Sequence, residues 1–407
     1  MKKQTILMCA LGVAAIAATA VGTGYSVSGS KGGVFFAGGD EGVWKHYERK
    51  EATATEKGIR EYWVNCLTNE HVFAKPTTGT IEEGGAYKTE GFTETDDRWI
   101  YPATLTAQDV VMTATTKALD LGTYAGGTVS YIKAGTFNLG TDPANLDVSG
   151  FKADHTDDGL KTVEIGTIKD GKEYALTCKT TFVTALIGTK EDYLKYVVPE
   201  ENVNKFGFYK LTTNLNLRGV VTYCSTGSGK DYFAGTLDGC NYKITASSDQ
   251  TNGLFGNLRF ATIQNLNIED IWYNAGGYVS LLGRFVFDTK FINVNTKLMG
   301  ARDGLRATGT ETPETTNSHS YLAWNTFQSN TLIDCTFDAS GFKIGSLFGC
   351  AQNMTPPFLA KNCVVKAAYL GNLMDSYYKK KVYQPENVTL KDGEEAVKGI
   401  TFVQADK

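Results

Sequence analysis

Four short segments in the second half of the chain repeat one pattern, an amide or acid followed by an apolar residue inside a strand-like run. "TIQNLNI" sets Asn265 before Leu266, "KFINVNT" sets Asn293 before Val294, "TLIDCTF" sets Asp334 before Cys335, and "AKNCVVK" sets Asn362 before Cys363. The step from Asn265 to Asn293 equals the step from Asp334 to Asn362, and the step between Asn293 and Asp334 is longer. A second marker keeps time with the first: "GLFG" at Gly253, Leu254, Phe255 and Gly256, "SLLG" at Ser280 to Gly283, and "SLFG" at Ser346 to Gly349. Leu254, Leu281 and Leu347 precede Asn265, Asn293 and Asn362 at similar spacing, and where the marker is lacking Leu322 stands as far before Asp334 as Leu281 does before Asn293. Short apolar strands separated by tight corners cannot each bury a face alone, so such units must stack. The predicted architecture is all-β, a right-handed parallel β-helix with rungs about 4.8 Å apart. Asn265, Asn293, Asp334 and Asn362 then form a corner ladder, each amide donating to one rung and accepting from another. The excess of the longer step falls in the polar stretch Gly300 to Ser320, read as a loop extruded from one rung.

The residues around these motifs carry a family resemblance. "NKFGFYKLTTNLNL", "YFAGTLDGCNYKI", "GLFGNL" and "ATIQNLNI" resemble the repeat domain of bacterial exported surface proteins with GLUG-type motifs, which are themselves similar to pectate-lyase-like β-helices. The resemblance runs through most of the second half of the chain, and Gly253 to Gly256 match the motif letter by letter, whereas Cys240 stands where such repeats often carry Asn or Gly. It implies a β-helix displayed outside the cell.

The rest of the chain divides into further segments. Lys2 and Lys3, an apolar run from Ile6 to Val21 and the small-x-small site Ala18-Thr19-Ala20 predict an export leader over residues 1–20. Residues 32–94 read as a small aromatic β-hairpin module, with Trp44, Tyr62 and Trp63 as its core. This module resembles one found in exported Gram-positive proteins that leads to a Cys-x-x-Cys; here the second cysteine is missing, so His46, Cys66, His71 and Glu70 are not read as a zinc site, and the two histidines are read as rim residues. Residues 95–187 hold short period-two runs separated by turns such as "KDGK" and resemble the Ig-like spacers of bacterial surface proteins, a β-sandwich. "GTKEDYLKYVV", Gly188 to Val198, predicts a short helix capping the β-helix of residues 188–375, and residues 376–407 follow as a C-terminal strand and tail.

Composition narrows the function classes. Loss of Lys2 and Lys3 takes the net charge from -4 to -6, and the only basic run is Lys379, Lys380 and Lys381, so nucleic acid is excluded as a partner. Loss of Cys9 leaves seven scattered cysteines of the original eight, which does not describe a disulfide framework. Ser225 to Lys230 spell "STGSGK", but Cys224 stands where a phosphate loop needs glycine, Asp231 replaces the required Ser or Thr, and a strand follows where a helix is needed. No cofactor, no metal and, after leader cleavage, no membrane segment are expected.

Three functions fit the architecture. The favoured one is a secreted or cell-surface, adhesin-like protein binding glycans or host or microbial surface proteins, with Trp272, Tyr273, Tyr278, Arg302, Asp303, Arg306, Trp324 and Phe327 near the insertion as candidate contacts. The second is a polysaccharide lyase or glycosidase, for which the available groups are Asp288, Arg302, Asp303, Arg306 and His319, with no two acids at the same position of consecutive repeats. The third is a passive stalk.

Overall fold

The structure, a computed structural model, describes residues 42–90, 92–151, 159–198, 205–220, 232–248, 253–273, 280–313, 320–350, 358–376 and 381–406. The predicted leader and the "STGSGK" loop lie outside these residues. The chain is mostly β and forms two compact units, one within Met1–Gln108, Ala118–Asp147 and Thr162–Lys179, the other within Asp109–Lys117, Val148–Lys161 and Thr180–Lys407.

In the first unit, the alternation in "VWKHY" and "YWVN" builds a four-stranded sheet ordered His71–Val72, Tyr62–Asn65, Val43–Tyr47, Thr80–Gly85. Its core is Tyr47, Ile59 and Tyr62, with Val64, Phe73, Phe92 and Trp99 packed against it. Tyr47 and Tyr62 stack at 4.9 Å. A six-stranded sheet takes the order Gly58–Ile59, Trp99–Val111, Lys172–Val183, Leu160–Lys169, Thr128–Ala134, Phe137–Gly140. Its "KDGK" turn holds Asp170 at φ 53° and Gly171 at φ 73°, as a two-residue hairpin requires of both central residues. The strands between Trp99 and Val183 thus share one sheet, where a sandwich has two facing ones.

An ionic knot holds the four-stranded module. Glu173, 7% exposed, accepts from Arg49 Nη1 at 2.8 Å and from Arg60 Nε at 2.9 Å. Removing the carboxylate takes the main partner from two partly exposed guanidiniums while Arg49 keeps Glu51 at 3.4 Å, so Glu173→Ala is expected to destabilise this unit by about 2 kcal/mol. A urea midpoint shift worth under about 1 kcal/mol would contradict that.

The second unit is built differently: every strand pair in its 15-stranded sheet is parallel. Parallel neighbours cannot be joined by hairpins, so the chain must travel away and return between them. Strand Thr262–Asp270 lies in register with Lys290–Leu298, Leu266 opposite Val294, and Asn257–Arg259 lies in register with Gly283–Phe287. One pass of the chain, from Leu266 to Val294, therefore sets two strands on the two before it. The longer pass keeps the register, with Asn295 opposite Thr336, and the next places Thr336 opposite Val364.

The helix Lys190–Tyr196, where "GTKEDYLKYVV" predicts one, follows the first strand of the parallel sheet, Ala185–Ile187. Thr189 caps it, accepting from the Asp192 N–H while Asp192 accepts from the Thr189 N–H at 3.0 Å, a reciprocal capping box. Tyr193 is fully buried and donates to the Leu254 carbonyl at 3.1 Å.

Inward residues form columns through the stack. Leu237, Ile263, Phe291 and Leu332 make one, Leu266, Val294, Cys335, Cys363 and Ile400 another, all buried. Phe327 and Phe348 stack face to face at 4.0 Å in the same core. One charged group interrupts it. Asp270 has no exposed surface; its Oδ1 accepts from Ser248 N–H at 2.9 Å and from Trp272 N–H at 3.3 Å, while Oδ2 is buried with no partner among the described residues.

Segment 376–407 supplies a further level. Strand Ile400–Gln404 pairs in parallel with Cys363–Asn372, and its outer edge is closed by a side chain: Asn387 donates to the Phe402 carbonyl and accepts from the Phe402 N–H, both at 2.8 Å.

Candidate functional site: an aromatic and arginine face

The corner residues come first because they fix what the faces can display. Asn265, Asn293, Asp334 and Asn362 all sit at positive φ, between 50° and 55°, a region that Asn and Asp tolerate better than other side-chain-bearing residues. Asn293 donates to Asn265 Oδ1 at 3.2 Å and Asn362 to Asp334 Oδ1 at 3.0 Å. Asp238 heads the column, accepting from Asn265 at 3.2 Å and from Gln264 at 2.9 Å. Gly253 is at φ 68°, and a Cβ there would stand 2.6 Å from the Gly283 nitrogen; the marker residues bond level to level, Leu254 N–H to Leu281 O and Leu282 N–H to Leu322 O, both at 2.8 Å.

The aromatic candidates separate. Trp272 is exposed, and its carbonyl accepts from the hydroxyls of Ser247 and Ser248. Tyr273 is 1% exposed and packs edge-on against Tyr321 at 5.0 Å, so the expectation that it faces a ligand is corrected. Phe327, with no exposed surface, and Trp324, 8% exposed, are corrected likewise. The reason is local: the register of Ser320–Gln328 shifts between Ala323 and Thr326, which breaks the alternation that would have sorted inward from outward residues. Tyr278 and His319 lie outside the described residues.

The charged candidates sit on the insertion, but they are used locally. Arg302 pairs with Glu311 at 2.5 Å and Arg306 with Asp303 at 3.4 Å. The described part of the insertion is laid back on the sheet, not extruded: Leu305 is fully buried, and the Ala307 N–H donates to Gly341 O at 2.7 Å. Asp288 occupies a corner at φ 47°. Among the described residues no three His, Cys, Asp or Glu side chains gather to hold a metal. His46 instead holds Glu83 at 2.8 Å and Glu61 at 2.6 Å through its two ring nitrogens, and the bond to Glu83 foremost raises its pKa.

A different surface stands out. Arg259, Phe287 and Gln328 are register partners on three successive strands, and so are Asn257, Phe285 and Thr326. The alternating text "RFVF" buries Val286 and turns Phe285 and Phe287 outward, their rings parallel within 10° at 6.2 Å. The Arg284 guanidinium lies between two rings, 4.9 Å from Phe285 and 4.7 Å from Trp324. Arg259 lies over Phe260 at 5.0 Å and near Tyr232 at 6.0 Å. No ion pair among the described residues engages either arginine, and Arg284 Nε is buried with no hydrogen-bond partner there. The signal was present in the sequence: two phenylalanines flanking one valine after a "SLLG" marker place aromatic rings on the outside of a strand.

Phe260 adds a strained position. It sits at φ 56° at a corner whose next levels are Asp288 and Ser329, at 47° and 58°. A bulky residue there costs about 1–2 kcal/mol relative to one suited to the left-handed region. Phe260→Asn is therefore expected to raise stability by about 1 kcal/mol; a lowered urea midpoint would overturn this.

Fold and face together define an all-β protein whose parallel stacked sheet displays aromatic rings and guanidiniums. No protein-family model, no curated protein and no solved structure matches the chain. Among the described residues no helix is long and apolar enough to cross a membrane.

Proposed function

We propose that this chain is an exported, secreted or cell-surface protein whose second unit coils as a right-handed parallel β-helix and binds glycans or surface proteins. The coil is supported by the in-register steps from Leu266 to Val294 and from Thr336 to Val364, taken through corners of one conformation. The binding role rests on one observation, the outward pair Phe285 and Phe287 beside two arginines without carboxylate partners among the described residues. Outward aromatic rings in a stack that has ample interior for them mark an interaction surface. The GLUG-type resemblance and the leader over residues 1–20 belong to the same proposal.

The test is a glycan array together with pull-down from candidate surface extracts, run with the full chain and with Phe285→Ser/Phe287→Ser. Ligands captured by the parent and lost by the double variant support the reading. Equal capture by both moves binding to another surface, and capture of nothing by either leaves the passive stalk as the function.

A further inference from the structure

Both arginines of this face lie over aromatic rings. Arg284 is layered between Phe285 and Trp324, and Arg259 covers Phe260 beside Tyr232. A guanidinium held over a ring by cation–π attraction still has terminal N–H donors to offer an oxyanion. Most other described arginines are held by carboxylates, as Arg49 and Arg60 are by Glu173, Arg98 by Asp96, Arg302 by Glu311 and Arg306 by Asp303; Arg218 is not. Arg259 and Arg284 have no such partner; the nearest acid along their strands, Asp288, turns the corner after Phe287 and pairs with neither. Two cations without carboxylate partners among the described residues and two parallel, outward-turned rings therefore share one face of a chain that is acidic overall.

We infer that this face takes an anionic glycan, its carboxylate or sulfate groups on the forks of Arg259 and Arg284 and the apolar sides of its sugar rings on Phe285 and Phe287. The inference rests on the binding role proposed above and names its ligand class. A glycan suits the face better than an acidic peptide, because the outward rings offer apolar surface that the C–H side of a pyranose covers and a carboxylate side chain does not. Successive strands are about 4.8 Å apart, so an extended polymer crossing them meets Arg259 on one strand and Arg284, Phe285 and Phe287 on the next.

Four immobilised polymers distinguish the possibilities: a polyuronate, a sulfated polysaccharide, a neutral glucan and poly-glutamate, read by biolayer interferometry with the full chain at low and high salt. Retention on at least one of the two anionic polysaccharides is expected, with the polyuronate and sulfated arms separating carboxylate from sulfate. Binding should weaken at high salt, and it should fall about tenfold or more in Arg259→Gln/Arg284→Gln, as the loss of two charge-assisted contacts demands. The same variant must keep the parent unfolding midpoint. Equal retention on the glucan overturns the anionic ligand while leaving a glycan-binding role standing. Equal retention on poly-glutamate overturns the glycan in favour of an acidic protein. Retention on neither anionic polysaccharide, or an unchanged affinity in the double variant, also overturns it, whatever the array and pull-down find.

Discussion

Asp270→Asn should make the protein more stable at pH 8 while leaving it nearly unchanged at pH 4. Burial pushes the Asp270 carboxyl up to about 7 from its ordinary 3.8, against the opposing pull of the bonds from Ser248 and Trp272. Below about pH 4 the carboxyl is protonated in both folded and unfolded chains, and the native state bears no penalty. Between about 4 and 7 the unfolded chain releases its proton while the folded one keeps it, so stability drops across that window and stays low above it. A shift of about 3 pH units corresponds to about 4 kcal/mol. Asparagine retains an oxygen for the two N–H groups and cannot ionise, so the difference between variant and parent isolates this one group. Urea unfolding at pH 4, 6 and 8 measures it. A difference that stays flat from pH 4 to 8 would mean that the Asp270 carboxyl is not held protonated.

The second large effect is expected at Asn293, in the middle of the corner ladder. Its backbone is at φ 53°, its amide donates to Asn265 at 3.2 Å, and its oxygen accepts from Asn295 at 3.3 Å. Alanine loses both side-chain bonds and also strains the left-handed backbone, for a combined cost of about 3 kcal/mol. Glycine loses the bonds but fits the conformation, so Asn293→Gly should cost only about 1–2 kcal/mol. The ordering carries the argument: glycine less harmful than alanine at a corner where both remove the same amide. Equal destabilisation would assign the whole effect to the ladder, and a reversed order would remove the corner conformation from the account.

The ladder was legible because the corner demands a particular kind of residue and in-register stacking copies the demand from level to level. Asn and Asp recur where φ must be positive, and the sequence intervals equal the register offsets between Asn265, Asn293, Asp334 and Asn362. The same logic explains a miss. Gly399, at φ 80°, occupies the corner immediately before Ile400 as Asn362 does before Cys363, but glycine lacks the amide that marks the other corners, so the sequence shows residues 376–407 only as a C-terminal strand and tail. Which aromatics face outward was less legible. Trp324 and Phe327 follow a register shift, and alternation cannot be counted through a bulge whose position the sequence does not mark. Asp270, in "NIEDIW", reads as a surface acid at a strand end; only its place opposite Leu298, inside the stack, makes it a buried one.

The amide of Asn387 on strand Ile400–Gln404 bears on how copies of this protein behave in company. A parallel ladder with an open rim is a template for any strand of matching pattern, and a neighbouring molecule carries many. By occupying both main-chain groups of Phe402, one side chain denies that rim to growth at its centre. A single amide therefore takes the place a neighbouring chain's backbone would fill at Phe402, and its loss would free one donor and one acceptor for intermolecular strand addition.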